Sequence, residues 1–184
     1  EMIPESIEGE SAANALPIVR KEIAATKKKK AVERSSIDQR IDYRWIDLRT
    51  DENQLMFKAQ SCFVNAMRKF LLDRNFIEIH TPKLIAAASE SGSEVFKVDY
   101  FDRNAYLAQS PQFYKQMAMA AGFERIFETG PVFRAEKSYT NKHATEFSGF
   151  DLEFSYITSF KDVMKMEEEL LTAGLQAVKD NYGD

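Results

Sequence analysis

The side chains best spaced for chemistry fall between Ser110 and Ser155. In Pro131-Val132-Phe133-Arg134-Ala135-Glu136, Arg134 and Glu136 sit two residues apart, so an extended backbone aims both at one face. The stretch from Phe147 to Tyr156 alternates more cleanly still. Phe150, Leu152, Phe154 and Tyr156 predict a greasy face, and Phe147, Asp151 and Glu153 the opposite one. Between the two strands lie Lys137, Lys142 and His143, on a loop long enough to reach over a ligand. Arginine on a rigid strand beside a basic loop suits phosphate, and a strand bearing paired carboxylates is a floor for a polar ligand. An ordinary hairpin with exposed charges shows the same alternation, because antiparallel sheets commonly keep one face in water.

The elements that must position these groups have readable punctuation. Ser110 as N-cap, Pro111 at the first helical position and Gly122 after the last turn predict a helix, with Phe113, Met117 and Ala121 as its buried stripe. Gln112 and Lys115 then neighbour each other on a different face. A lysine in the first turn works against the helix dipole, which marks Lys115 as placed for a ligand. Upstream, Ile37 to Thr50 is dense in Asp and Arg, and a helix follows from about Asp51 to Arg74. Its stripe is Leu55, Ala59, Cys62, Phe63, Ala66 and Phe70, with Asn75 as C-cap. Phe76 to His80 reads as a strand ended by Thr81-Pro82. Ile85 to Glu94 is small and polar, a segment with little to bury, in which Glu90 and Glu94 suit either solvated charges or a flap carboxylate that closes over an ammonium group. Val95 to Tyr100 and Ala105 to Ala108 predict a hairpin turning at Asp102-Arg103-Asn104. Ser159-Phe160-Lys161-Asp162 is a capping box opening a last helix, with Val163, Met166, Leu170, Gly174, Ala177 and Val178 on one face. The sum is an α+β fold, an antiparallel sheet flanked by helices.

Composition narrows the function classes. The 184 residues contain 44% hydrophobic and 12% aromatic side chains, enough for a true core. A net charge of −4 argues against indiscriminate nucleic-acid binding, while leaving room for a local basic patch such as Lys27 to Lys30. That run suits a solvated linker or a contact with an RNA backbone. Cys62 stands alone and His80 and His143 are the two histidines, so neither a disulfide framework nor a zinc constellation is predicted. Cys62 is expected to be a small buried residue. Without an apolar run of membrane length or a signal peptide, an intracellular, cytoplasmic protein is expected. Ala15 to Val19 suggests a closing strand of a preceding domain, with Pro17 marking an edge. The chain starts at Glu1 and stops past a helix, and reads as an excised piece.

Together these residues resemble the class II aminoacyl-tRNA synthetases of the aspartyl type found in archaea and the eukaryotic cytosol, over roughly Ile37 to Asp184. Leu48-Arg49-Thr50 with the following helix, and Phe76 to Pro82, resemble motif 1, the dimer interface of this class. Phe133 to Glu136, through His143 to Glu146-Phe147, resembles motif 2. Ala108-Gln109-Ser110-Pro111-Gln112-Phe113-Tyr114-Lys115-Gln116 is the most specific match.

The resemblance implies residues 37–184 as the N-terminal part of a catalytic domain, and residues 1–36 as the end of an OB-type anticodon-binding barrel with a linker. It implies that Glu90 and Gln112 contact the α-amino group of L-aspartate with Asp151 close by, and that Lys115 meets the side-chain carboxylate. Arg134 would bridge aspartate and the α-phosphate of ATP. Glu136 would accept from the adenine amino group and Phe147 would stack on the ring. Lys142 and His143 would reach the distal phosphates. The family more often has arginine where Lys142 stands, and lysine makes no bidentate fork. Tyr139 lies where the family varies. Glu153 would help with a metal or with orientation. ATP, Mg2+, tRNA(Asp) and a second copy of the chain are the implied partners.

The related asparaginyl enzymes lack lysine at the position of Lys115, and an amide would leave its ammonium unpaired in a closed pocket. The family's motif 3 and the acidic residues that hold magnesium are expected beyond Asp184, so the piece alone is expected to be inactive. An asparaginyl-type enzyme, a non-catalytic synthetase paralogue that binds aspartate, tRNA or a protein, and an unrelated α+β binding domain remain alternatives.

Overall fold

The computed structural model describes residues 14–18, 20–23, 31–88, 95–138, 140 and 142–183. Glu90, Lys27 to Lys30 and Tyr139 lie outside the described residues. The chain divides into two compact units, Glu1–Gln60 and Ser61–Asp184. In the first, β1 (Arg20–Ile23) pairs antiparallel with β2 (Ala31–Arg34), followed by α1 (Ile37–Asp42) and α2 (Arg44–Asp47). The strand expected at Ala15 to Val19 is absent from residues 15–18; pairing begins at Arg20. The Asp- and Arg-rich segment is knit by its own charges. Buried Asp47 accepts from Arg40 Nε at 2.8 Å and from Asn53, and pairs with Arg44 at 3.2 Å.

Helix α3 (Asp51–Leu72) runs across the division and ends where Asn75 takes φ 63, the left-handed conformation its short polar side chain tolerates. Its inward residues in the second unit are Met67 and Leu71, flanked by Phe63 and Phe70. Met67 and Leu71 were not on the expected stripe, and Leu55, which was, is exposed. The rest of the second unit runs β3 (Ile77–Glu78), β4 (Leu84–Ile85), β5 (Lys97–Tyr100), β6 (Arg103–Leu107), α4 (Gln112–Ala120), β7 (Arg125–Phe133), β8 (Glu146–Phe154) and α5 (Phe160–Tyr182).

The main sheet has the order β3-β7-β8, with β7 and β8 antiparallel and β3 parallel to β7. The sheet is therefore mixed rather than purely antiparallel, and the strand expected over Phe76 to His80 shrinks to two paired residues. On one face, Phe127, Phe150, Leu152 and Phe154 pack with Met67, Leu71, Phe76 and Leu170. Tyr156 leaves this face: the strand ends at Phe154, and Tyr156 sits at φ 62, 85% exposed. Helix α4 packs over β7 and β8.

A second small sheet, β4-β6-β5, is antiparallel throughout. Its hairpin turns at Phe101-Asp102, between the facing residues Tyr100 and Arg103, one register earlier than expected. Strand β4 was not foreseen in the polar segment. The Ala108 N–H donates to the Lys83 carbonyl at 2.9 Å, and the Phe133 N–H to the Ala108 carbonyl at 2.9 Å. These links hold Lys83 beside the end of β7.

Candidate functional site

The register of β7 and β8 decides which side chains meet. Facing residues on antiparallel strands share a face. Ile126 opposes Glu153, Glu128 opposes Asp151, Gly130 opposes Gly149, and Val132 opposes Phe147. This is the face away from the aromatic core, and its centre is a pair of glycines with no side chain above them. The strand ends at Phe133, before Glu136, but the Arg134 N–H still donates to the Thr145 carbonyl at 3.0 Å. Arg134 therefore continues the row.

At one end of the row stands Lys115, only 6% exposed. Its ammonium pairs with Asp151 and lies 3.5 Å from Glu153. The α4 stripe expected from periodicity is inverted: Phe113 and Met117 are 48% and 63% exposed, while the lysine faces inward. Two carboxylates on the sheet explain the inversion, since a buried lysine is tolerable when its charge is matched. The helix starts at Gln112 with Pro111 as cap, one residue later than expected, and the Gln112 N–H donates to Ser110 Oγ at 3.3 Å. Gln112 is half-buried at this end.

At the other end, the Arg134 guanidinium lies over the Phe147 ring, 5.5 Å from its centroid, a cation–π contact. Arg134 Nε is buried and finds no hydrogen-bond partner among the described residues. Beyond it, His143 Nε2 is 3.9 Å from Glu136, and His143 Nδ1 meets Thr140 Oγ1 at 2.5 Å and Ser138 Oγ at 3.3 Å. The Lys142 N–H donates to Thr140 Oγ1 at 3.4 Å. Asp151 and Phe147 are four residues apart on β8, roughly 13 Å along a strand. The face thus brings together Lys115, Asp151, Glu153, Phe147 and Arg134, spanning a length suited to an amino acid joined to a nucleotide.

One cluster escaped the sequence reading. Glu128, 3% exposed, accepts from the Thr81 N–H at 2.9 Å, from Thr81 Oγ1 at 2.7 Å and from Lys83 Nζ at 2.9 Å. Burial pushes its carboxyl up, but the Thr81 and Lys83 bonds together outweigh burial and hold it below the ordinary glutamate value. The available signal was a lone glutamate in the apolar run Ile126 to Val132, in step with Gly130. Thr81-Pro82 reads in the sequence as a strand terminator and as part of the motif 1 resemblance, and neither reading points to Glu128. Among the described residues no group of three or more His, Cys, Asp or Glu side chains is arranged to hold a metal ion. None of their helices is long and apolar enough to cross a membrane.

Comparison with known proteins adds to this geometry. The family model for class II tRNA synthetases (D, K and N) matches residues 36–183. An aspartate–tRNA(Asp/Asn) ligase from Methanopyrus kandleri is 52% identical over 146 residues, covering 79% of this chain and 34% of the relative. An aspartate–tRNA(Asp) ligase from Picrophilus torridus is 49% identical over 150 residues, 82% of this chain and 35% of the relative. Among solved structures, asparaginyl-tRNA synthetase from Pyrococcus horikoshii, complexed with asparaginyl-adenylate, superposes with a TM-score of 0.75 at 37% identity. That match covers 79% of this chain and 33% of the other. The chain spans about a third of the length of the curated relatives it matches.

Proposed function

The chain belongs to the class II tRNA synthetase family (D, K and N), and from that premise we propose that it forms the amino-acid pocket and part of the ATP site of an aspartate–tRNA ligase. The observation that carries the reading is Lys115, buried against Asp151 and Glu153 on the same sheet face as Arg134 and Phe147. Aspartate completes two ion pairs there at once. Its side-chain carboxylate meets Lys115, and its ammonium meets Asp151, with Gln112 and, from the flap, Glu90 beside it. Arg134 spans the α-carboxylate and the α-phosphate, with its unpartnered Nε–H facing an oxygen anion. Phe147 and Glu136 take the adenine, and Lys142 and His143 the distal phosphates. Residues 1–36 form the close of an anticodon-binding barrel and its linker in this reading. Mg2+ accompanies ATP, tRNA(Asp) is the acceptor, the protein works in the cytoplasm, and α3 with β3 joins two copies.

The chemistry needs no protein nucleophile. The α-carboxylate attacks the α-phosphorus in line and pyrophosphate leaves; the terminal hydroxyl of the tRNA then attacks the aminoacyl carbonyl of the adenylate, and AMP leaves. Catalysis is positioning and charge stabilisation. Selection against asparagine works differently from the expectation that an amide strands the Lys115 charge. Asp151 and Glu153 already pair that charge, so discrimination comes from the charged hydrogen bond aspartate adds, about 1.5–3 kcal/mol. The full-length protein is expected to catalyse ATP–pyrophosphate exchange with aspartate, and at least about tenfold less efficiently with asparagine. Equal exchange with both amino acids would remove this assignment.

A further inference from the structure

Glu128 and Asp151 stand directly opposite each other across β7 and β8. Facing positions bring Cβ atoms within about 5.5 Å, where like charges destabilise the pair. The fold separates the two by giving each its own lysine: Lys83 holds Glu128, and Lys115 holds Asp151. Thr81 adds two bonds that turn the Glu128 carboxylate toward the loop after β3. Lys83, Glu128, Gly130, Gly149 and Asp151 all border one cavity of ≈ 10 Å³, about the size of one water. A Cβ on Gly130 would come 3.4 Å from Glu128 Oε1 and 3.7 Å from Lys83 Nζ. The Lys83–Glu128 pair and Asp151 therefore share one small space.

We infer that Lys83 is a positioning residue for amino-acid recognition: it neutralises Glu128 and draws it away from Asp151, which leaves Lys115 to Asp151, Glu153 and the substrate carboxylate. This inference rests on the proposed aspartate-activating function and names a determinant of it that makes no substrate contact. Without Lys83, Glu128 loses its cation beside the pocket, and its carboxylate is free to compete for Lys115 and to repel an incoming carboxylate. ATP sits at the far end of the row and is little affected.

Aspartate-dependent ATP–pyrophosphate exchange in the full-length protein tests this. Lys83→Met is expected to raise the KM for aspartate about tenfold, leaving kcat and the KM for ATP within about twofold. The double variant Lys83→Met/Glu128→Gln keeps an acceptor for the Thr81 N–H but removes the stranded charge, and is expected to return the aspartate KM to within about twofold of the unaltered protein. A double variant that folds yet stays as impaired as Lys83→Met overturns the inference, as does an equal rise in the KM for ATP. Should Lys83→Met fail to fold, the double variant decides alone by its aspartate KM. Loss of exchange in the unaltered protein would end the functional reading and this inference with it. Normal exchange with an unmoved aspartate KM in Lys83→Met would end the inference only.

Discussion

Lys115 and Arg134 are both cations on one sheet face, but their surroundings give them different duties. Lys115 is enclosed by carboxylates that neutralise it before any ligand arrives. Among the described residues, Arg134 meets a ring face and makes one backbone bond, and its buried Nε–H has no acceptor. An unsatisfied buried donor costs about 1–3 kcal/mol, which an incoming phosphate oxygen would offset. The two should therefore fail in different kinetic terms. Lys115→Met leaves Asp151 and Glu153 side by side on β8 without that cation, and in the proposed pocket aspartate loses its charged partner. Its kcat/KM for aspartate should fall about a hundredfold, mostly through KM. On the proposed reading, Arg134→Ala removes a donor from the phosphate where charge gathers, and should raise the barrier behind kcat by about 3–4 kcal/mol with a smaller change in the KM for aspartate. Steady-state exchange kinetics separate the two patterns, and identical patterns would mean the assigned roles are wrong.

Elements were legible where local chemistry alone determines them. The capping box of α5 forms as read: Asp162 accepts from the Thr158 and Ser159 N–H groups at 2.9 and 3.0 Å, and Lys161 N–H donates to Ser159 Oγ. The polar row Phe147, Asp151 and Glu153 on β8 follows from alternation. Reading failed where tertiary pairing overrules periodicity. Helix α4 buries Lys115 because a distant strand supplies two carboxylates, and no window of that helix contains this information. The parallel pairing of β3 with β7, and the Glu128 cluster, depend on contacts across nearly fifty residues of chain. Gly174 is an intermediate case, read as part of the buried stripe without the reason it is glycine. A Cβ there would come 2.6 Å from the Phe63 ring of α3 and 3.0 Å from Met67. Alanine is ordinarily about 1 kcal/mol better than glycine inside a helix. Gly174→Ala should nonetheless destabilise the protein by about 1–3 kcal/mol, because an aromatic ring and the α3–α5 spacing must yield. Chemical denaturation of Gly174→Ala and of the unaltered protein, analysed with one slope, checks the sign, and a stabilised Gly174→Ala would show that the helices separate freely.

At the scale of the molecule, three carboxyl groups in separate places tie stability to acidity. Asp47 lies in the first unit, held below the ordinary aspartate value chiefly by its bond from Arg40, against the opposing effect of burial. In the second unit, Asp162 is lowered chiefly by the Thr158 and Ser159 N–H groups, and Glu128 is lowered although burial acts against it. A carboxyl whose value is lower in the folded chain binds its proton more readily when unfolded. Its contribution is complete above the unfolded value, about 4 for these groups, and is lost as pH falls through the lower folded value. The thermal midpoint should then be insensitive to these groups from pH 8 down to about 5 and decline below about 4. Asp162→Asn and Glu128→Gln each retain an acceptor oxygen while deleting a titration, so the double variant should start from a lower midpoint at pH 7 and decline less steeply in acid. Because Asp47 titrates in the other unit, some acid slope must survive in that variant. An unchanged slope would mean that the acid sensitivity comes from other groups, and a complete loss of slope would mean that Asp47 contributes nothing.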